Sequence, residues 1–302
     1  MTKLLNNLSE RSQIAIAKDC TRYEAWCNAR NLTPIPASAD QVEAWLTDCV
    51  NEGLKLATIK RFIYSIGLAH AMEGFISPTK LPTWRSHWSR IFLKLQALGT
   101  THAVERNELN ADNIRIILAS LGDSPRELRD AALLTVASDT LYKAGELVTV
   151  CAEYITAFRD GSGQLRLPQP PDLQGSFHGV RYLSTGTMYH VRRWCDAMNI
   201  RSGPLFLAIG GRPKEGQAGF ATVLEPREIG RIFRRRAKAA GLEGAFSSYS
   251  TRLGAALDLV RAGATVREVQ SAGGWRTPHV IAERTRDIEG TTEALQKLHG
   301  KQ

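Results

Sequence analysis

The sequence predicts a mainly α protein of two domains: an N-terminal helical bundle, and a larger helical domain carrying a small antiparallel sheet. Three observations predict it. Apolar residues recur at helical spacing through four successive segments of the first hundred positions. Periodicity then breaks at 99–109, which reads as a linker between domains at 1–98 and 110–302. Within the second domain, 161–183 is rich in Gly, Pro and polar residues and holds two short strand-like runs.

In the first segment Ile16, Cys20, Tyr23 and Cys27 form one apolar stripe. Ser38, with Gln41 three residues on, reads as a capping box opening a second helix. Val42, Trp45, Leu46, Cys49 and Val50 mark its buried face, and Gly53 its stop. A third helix at 55–72 buries Ile59, Phe62, Ile63 and Ile66, with Thr58, Arg61 and Ser65 on its other face. A fourth, at 83–98, carries Trp84, Trp88, Phe92 and Leu95.

Beyond the linker a helix is expected at 111–121, stopped by Gly122. Ser124, Pro125 and Glu127 then start another, running to about Leu141. Strands are expected at 164–167 and 179–183. Helices follow at 185–198, 225–240, 250–262, 265–272, 278–286 and 292–299.

Composition narrows the classes. Hydrophobic residues make up 43% and charged residues 23%, ordinary for a globular chain. No run reaches the roughly 18 apolar residues of a membrane span, so no membrane partner is expected. The N-terminus lacks the apolar core of a secretion signal, so a cytoplasmic, nucleoid-associated location is expected. The cysteines, Cys20, Cys27, Cys49, Cys151 and Cys195, contain no CxxC pair and read as reduced. Neither metal nor cofactor is expected.

The formal net charge of +9 points toward a polyanion. The densest basic segment holds Arg227, Arg231, Arg234, Arg235, Arg236 and Lys238. On a helix, Arg227, Arg231, Arg234 and Lys238 share one face, where arginines can grip phosphates or guanine edges. A solvated helix face is the alternative reading.

Three further segments carry a resemblance. Tyr142-Lys143-Ala144-Gly145-Glu146-Leu147 follows the helix at 125–141; Tyr249-Ser250-Thr251-Arg252 resembles a His-x-x-Arg box with tyrosine at its first position; Gln270-Ser271-Ala272-Gly273-Gly274-Trp275 precedes a helix. In this order, with a small sheet between the first and second, the chain resembles the tyrosine-recombinase (phage integrase) family over nearly its whole length. The resemblance implies two domains clamping duplex DNA as a C. It also implies a pocket where a tyrosine attacks the scissile phosphorus, two arginines and His/Trp groups hold the phosphate, and a lysine protonates the leaving oxygen.

Against those roles the sequence is degenerate. Lys143 stands at the first arginine and keeps charge without the planar fork. No lysine occurs between Lys143 and Lys214, so the acid expected near Gln169-Pro170-Pro171-Asp172 is missing. Tyr249 stands at the histidine and Arg284 at the nucleophile; Tyr249 is the last of the seven tyrosines. Arg252, Trp275 and the acidic Glu146 match. Trp275 either faces a phosphate with its indole N–H or packs as a core aromatic. Arg284 either holds a phosphate or points to solvent or Glu283.

The resemblance therefore implies a sequence-specific double-stranded DNA-binding protein that does not cut, acting as a transcriptional repressor. The alternatives are an accessory or inhibitory partner of an active recombinase, and a recombinase using a partner's nucleophile. The expected DNA contacts are Lys55, Thr58, Lys60, Arg61 and Tyr64 on the third helix. In the second domain they are Lys143, Arg227, Arg231, Arg234, Arg235, Lys238, Tyr249, Arg252, Trp275 and Arg284. A homodimer on an inverted repeat, joined through the C-terminal helix, is the expected assembly.

Overall fold

A computed structural model of the chain describes residues 8, 10–101, 106–168, 179–209, 222–275, 277 and 279–285. It divides into two compact units, Met1–Val104 and Glu105–Gln302. The helix expected at 292–299, with Leu295 and Leu298, lies outside the described residues, as does the turn at 169–172.

The first unit is built from α1 (Glu10–Asn28), α2 (Ala39–Asn51), α3 (Leu56–Met72) and α4 (Trp84–Ala97), with a 3-10 turn at Pro78–Lys80. Its core joins Tyr23, Cys27, Val42, Trp45, Leu46, Ile59, Phe62, Ile91 and Leu95. Trp45 sits between Tyr23 and Phe62, with ring centroids 4.8 Å and 4.9 Å away. Ser38 caps α2 by accepting from the Gln41 N–H, but Gln41 does not reach back to the cap. Its amide donates instead to the Tyr23 hydroxyl and the Thr33 carbonyl, tying α1 to α2.

The sequence placed Ser65 on a polar outer face, and the structure corrects this. Ser65 is buried and donates to Asp19, itself buried on α1. Arg61 grips the same carboxylate with Nε and Nη2, both at 2.8 Å. Polar residues at helical spacing had read as solvent-facing because their partner lies 46 residues earlier.

The second unit centres on α6 (Pro125–Thr140), which is buried along almost its whole length from Leu128. Around it lie α5 (Ala111–Ala119), the single turn α7 (Ala144–Leu147) and α8 (Thr185–Met198). They are followed by α9 (Pro226–Ala239), α10 (Ser250–Arg261), α11 (Val266–Gly273) and α12 (His279–Thr285). The sheet has three antiparallel strands in the order β1 (Ile155–Ala157), β2 (Gly163–Arg166), β3 (Val180–Leu183). Leu165 of β2 pairs with Ile155 on one side and Arg181 on the other. β1 was not expected: three residues are too few to show alternation.

Residues read as the end of a linker are fastened to this unit. The Asn107 N–H donates to the Ala245 carbonyl, and the Leu109 N–H to the Ser250 carbonyl. Gly254 permits that approach, since a Cβ there would lie 2.1 Å from the Leu109 carbonyl oxygen. No helix among the described residues is long and apolar enough to cross a membrane, and the five cysteines are free.

Candidate nucleic-acid interface

The most specific residue constellation lies at the N-terminus of α10. Leu141 ends α6 in the left-handed region, at φ 54°, a conformation that costs a branched residue roughly 1 kcal/mol or more. Its carbonyl thereby accepts from Arg252 Nη1 at 2.6 Å. Arg252 Nη2 donates to the Gly273 carbonyl, and the guanidinium lies over the Trp275 ring, 4.1 Å from its centroid. Trp275 folds back this closely because residue 273 is glycine; a Cβ there would meet the indole at 1.8 Å. The indole N–H donates to the Tyr249 hydroxyl at 2.8 Å.

Arg252 is only 2% exposed, and its Nε finds no hydrogen-bond partner among the described residues. Desolvation lowers its pKa, opposed by Tyr249 and Glu146. Arginine still keeps its proton, so a charged staple joins three segments: 141, 252 and 273–275. Both readings of Trp275 thus find a middle outcome. The Tyr249 hydroxyl takes the indole N–H, while the ring packs against the apolar cluster of Leu141, Ala255, Ala256 and Val269.

The neighbouring groups are cationic. Lys143 is exposed at the cap of α7, where its backbone N–H donates to Glu146 Oε2 at 2.6 Å. Arg181 on β3 donates from Nε to the Thr140 carbonyl at 3.1 Å and lies over the Tyr142 ring. Burial pushes the Tyr142 hydroxyl up to about 12, with Arg181 opposing, and that hydroxyl has no partner among the described residues. α12 packs through Ile281, in one cluster with Leu141, Ala255, Ala256 and Val269. Arg284 follows one turn later and is half-buried. A cavity of about 550 Å³ opens nearby, lined by Asp139, Leu141, Arg181, Tyr182, Asp258 and Ala272 among others. Its carboxylates are engaged: Asp139 accepts from the Ser184 N–H and Asp258 from the Ala111 N–H.

α9 forms the second cationic feature. It buries Ile229, Ile232, Phe233 and Ala237, while Arg227, Arg231, Arg234 and Lys238 are all exposed. At 100° per residue those four fall within one narrow stripe opposite the buried face. Arg227 also pairs with Glu225 at 2.7 Å, both largely exposed, a contact of little energetic weight. Arg235 stands apart from the stripe, donating to Asp130 at 3.1 Å.

In the first unit, Lys60, Arg61 and Tyr64 are exposed on α3, Tyr64 at 54%. Lys55 is exposed at the helix cap and Thr58 is half-buried at the edge. Arg61 is held by Asp19 and presents only part of its guanidinium. Sequence reasoning missed the acids Asp19 and Asp130 and the role of Arg181. The one available signal was Arg129-Asp130, adjacent charges immediately before the apolar run at 131–134.

With this geometry in view, the sequence model of the phage integrase family matches residues 107–284. Recombinase cre of Escherichia phage P1 is 24% identical over 302 residues, covering 96% of this chain and 88% of that protein. An integrase/recombinase xerD homolog of Selenomonas ruminantium is 24% identical over 273 residues, covering 83% and 74%. The Tn1549 transposon integrase, solved with transposon right-end DNA, is similar over 93% of this chain and 92% of that one. Its TM-score is 0.62 at 13% identity. A lambda integrase dimer bound to a COC' core site covers 96% and 93%, with a TM-score of 0.53 at 16% identity. At these identities the structural likeness establishes the fold, as the sequence predicted: mainly helical with a small antiparallel sheet.

Proposed function

Because the chain belongs to the phage integrase family, we propose that it binds double-stranded DNA at specific sequences without cutting it, and acts as a transcriptional repressor. One observation carries the non-cleaving half. The last tyrosine in the sequence is Tyr249, and its hydroxyl already accepts the Trp275 indole N–H. Arg284 stands where the family resemblance places the nucleophile, and a guanidinium offers no oxygen and no lone pair for attack on phosphorus.

The surroundings support binding in place of cleavage. Arg252 and Trp275 keep their identities but turn donors toward the protein's own carbonyls and hydroxyl. Lys143 and Arg284 bring positive charge to the same region, which suits holding a phosphate whose ester stays intact. The outward stripe of α9 supplies further cations for the backbone and base edges. The Tn1549 and lambda integrase structures are complexes with DNA, which supports the same ligand here.

A suicide duplex, nicked so that a covalent intermediate cannot religate, tests the reading directly. The purified chain should shift the duplex in a gel and leave no denaturation-resistant adduct. A covalent adduct would overturn the inactive assignment. The whole-length match to recombinase cre favours a second reading, an accessory or inhibitory partner at recombination sites. Mixed complexes with a cleavage-competent recombinase on one duplex would favour that reading over repression. An adduct appearing only in the mixture would assign the nucleophile to the partner.

A further inference from the structure

Asp130 lies on α6, fully buried, yet four guanidinium contacts from three arginines converge on it. Its Oδ1 accepts from Arg129 Nε at 2.9 Å and Nη2 at 2.6 Å. Its Oδ2 accepts from Arg236 Nε at 2.7 Å and Arg235 Nη2 at 3.1 Å. Arg129 continues to the Leu207 carbonyl at 3.1 Å, and Arg236 reaches Glu127 at 3.7 Å. A carboxylate has about four acceptor sites, and here all four are filled.

The network sits on one edge of α9. The apolar contacts of Ile229, Ile232, Phe233 and Ala237 hold that helix down but are non-directional, and they tolerate a small roll. Charge-assisted hydrogen bonds are directional and do not. Even a modest roll would turn the shared stripe of Arg227, Arg231, Arg234 and Lys238, all four together, away from the direction in which it now points.

We propose that Asp130 is a positioning residue for DNA recognition. It fixes the rotation of α9 through Arg235 and Arg236, so that the four outward cations meet the duplex together, and it withholds Arg235 from the phosphates. This rests on the DNA-binding reading above. It adds that sequence discrimination, more than affinity, depends on a buried carboxylate that never touches DNA. The excess of cations over acids in the network also leaves the base of the helix positive, so positioning is achieved without cancelling the attraction to DNA.

Arg236→Gln is the informative variant, because its side chain is 14% exposed and lies on the inward side of α9. The whole chain is titrated by fluorescence anisotropy against two duplexes across a salt series, with thermal melting as the check on folding. One duplex carries a site selected from native genomic fragments; the other is its shuffled counterpart. R236Q is expected to lose roughly tenfold in affinity for the selected duplex, with shuffled-duplex affinity and salt slope unchanged. Arg231→Gln should instead weaken both and reduce the slope by about 1. If R236Q does not fold, Arg235→Gln, half-exposed on the longer contact, should show the same loss of discrimination at unchanged slope. An unchanged ratio between the two duplexes, or a slope that drops as in R231Q, would overturn the positioning role alone. A wild-type chain that prefers neither duplex would sink the sequence-specific reading, and this inference with it.

Discussion

Arg252 and Arg284 bring the same charge to the same end of the second unit, and their surroundings give them different work. Arg252 is 2% exposed and bonded to the carbonyls of Leu141 and Gly273. Truncating it would strand both carbonyls in the interior and remove the cation from the Trp275 face. Arg252→Ala should therefore destabilise the fold by about 3 kcal/mol, read as a drop in denaturation midpoint. Arg284 is half-buried on α12, the last described helix. Arg284→Ala should weaken DNA binding. It should also flatten the dependence of log K on log salt by about 1. An Arg284→Ala protein with wild-type affinity and slope would remove Arg284 from the interface.

Elements are held in place by polar contacts that cross between them, and α2 and α4 give a titratable case. Arg90 donates to Glu43 from Nε at 2.6 Å and Nη2 at 2.5 Å, and His87 Nδ1 touches the same carboxylate. Hydrogen bonding from Arg90, then from His87, holds the Glu43 carboxyl below its ordinary range against the cost of burial. A carboxyl depressed in the folded state stabilises fully above its unfolded pKa of roughly 4.3. That contribution is lost as pH falls through the lower folded value. Glu43→Gln should thus melt below wild type near neutrality, and the two melting temperatures should converge in acid. Parallel curves down to pH about 3 would contradict the linkage.

The same distinction explains what the sequence disclosed. Trp45, Leu46, Ile59 and Phe62 were legible because burial by apolar contact repeats at the helical period. Ser65, Asp19 and Asp130 were not, because a buried polar group depends on a partner far along the chain. Arg252 was visible as a landmark within its motif. Its inward turn was not, since its acceptors lie 111 and 21 residues away.

For the whole molecule, the net charge of +9 sets the scale of the interaction with DNA. If the outward stripe of α9, Lys60 on α3, Lys143 and Arg284 each neutralise a phosphate, log K should fall with log salt at a slope of roughly −6. Such a slope is shared by specific and random duplexes, so it measures electrostatics and leaves purpose open. Purpose is decided by where the sites are. A repressor must compete for promoters, while an accessory factor must sit where strands are exchanged. Both differ from a non-specific coat, which would follow the genome evenly. Crosslinking and sequencing of the bound fragments in the native cell should recover a small set of sites upstream of genes. Those sites should be inverted repeats if two copies bind by a two-fold axis. Enrichment at recombination junctions would transfer the assignment to the accessory reading. Uniform coverage would leave a fold with the cations for DNA and no sequence to choose.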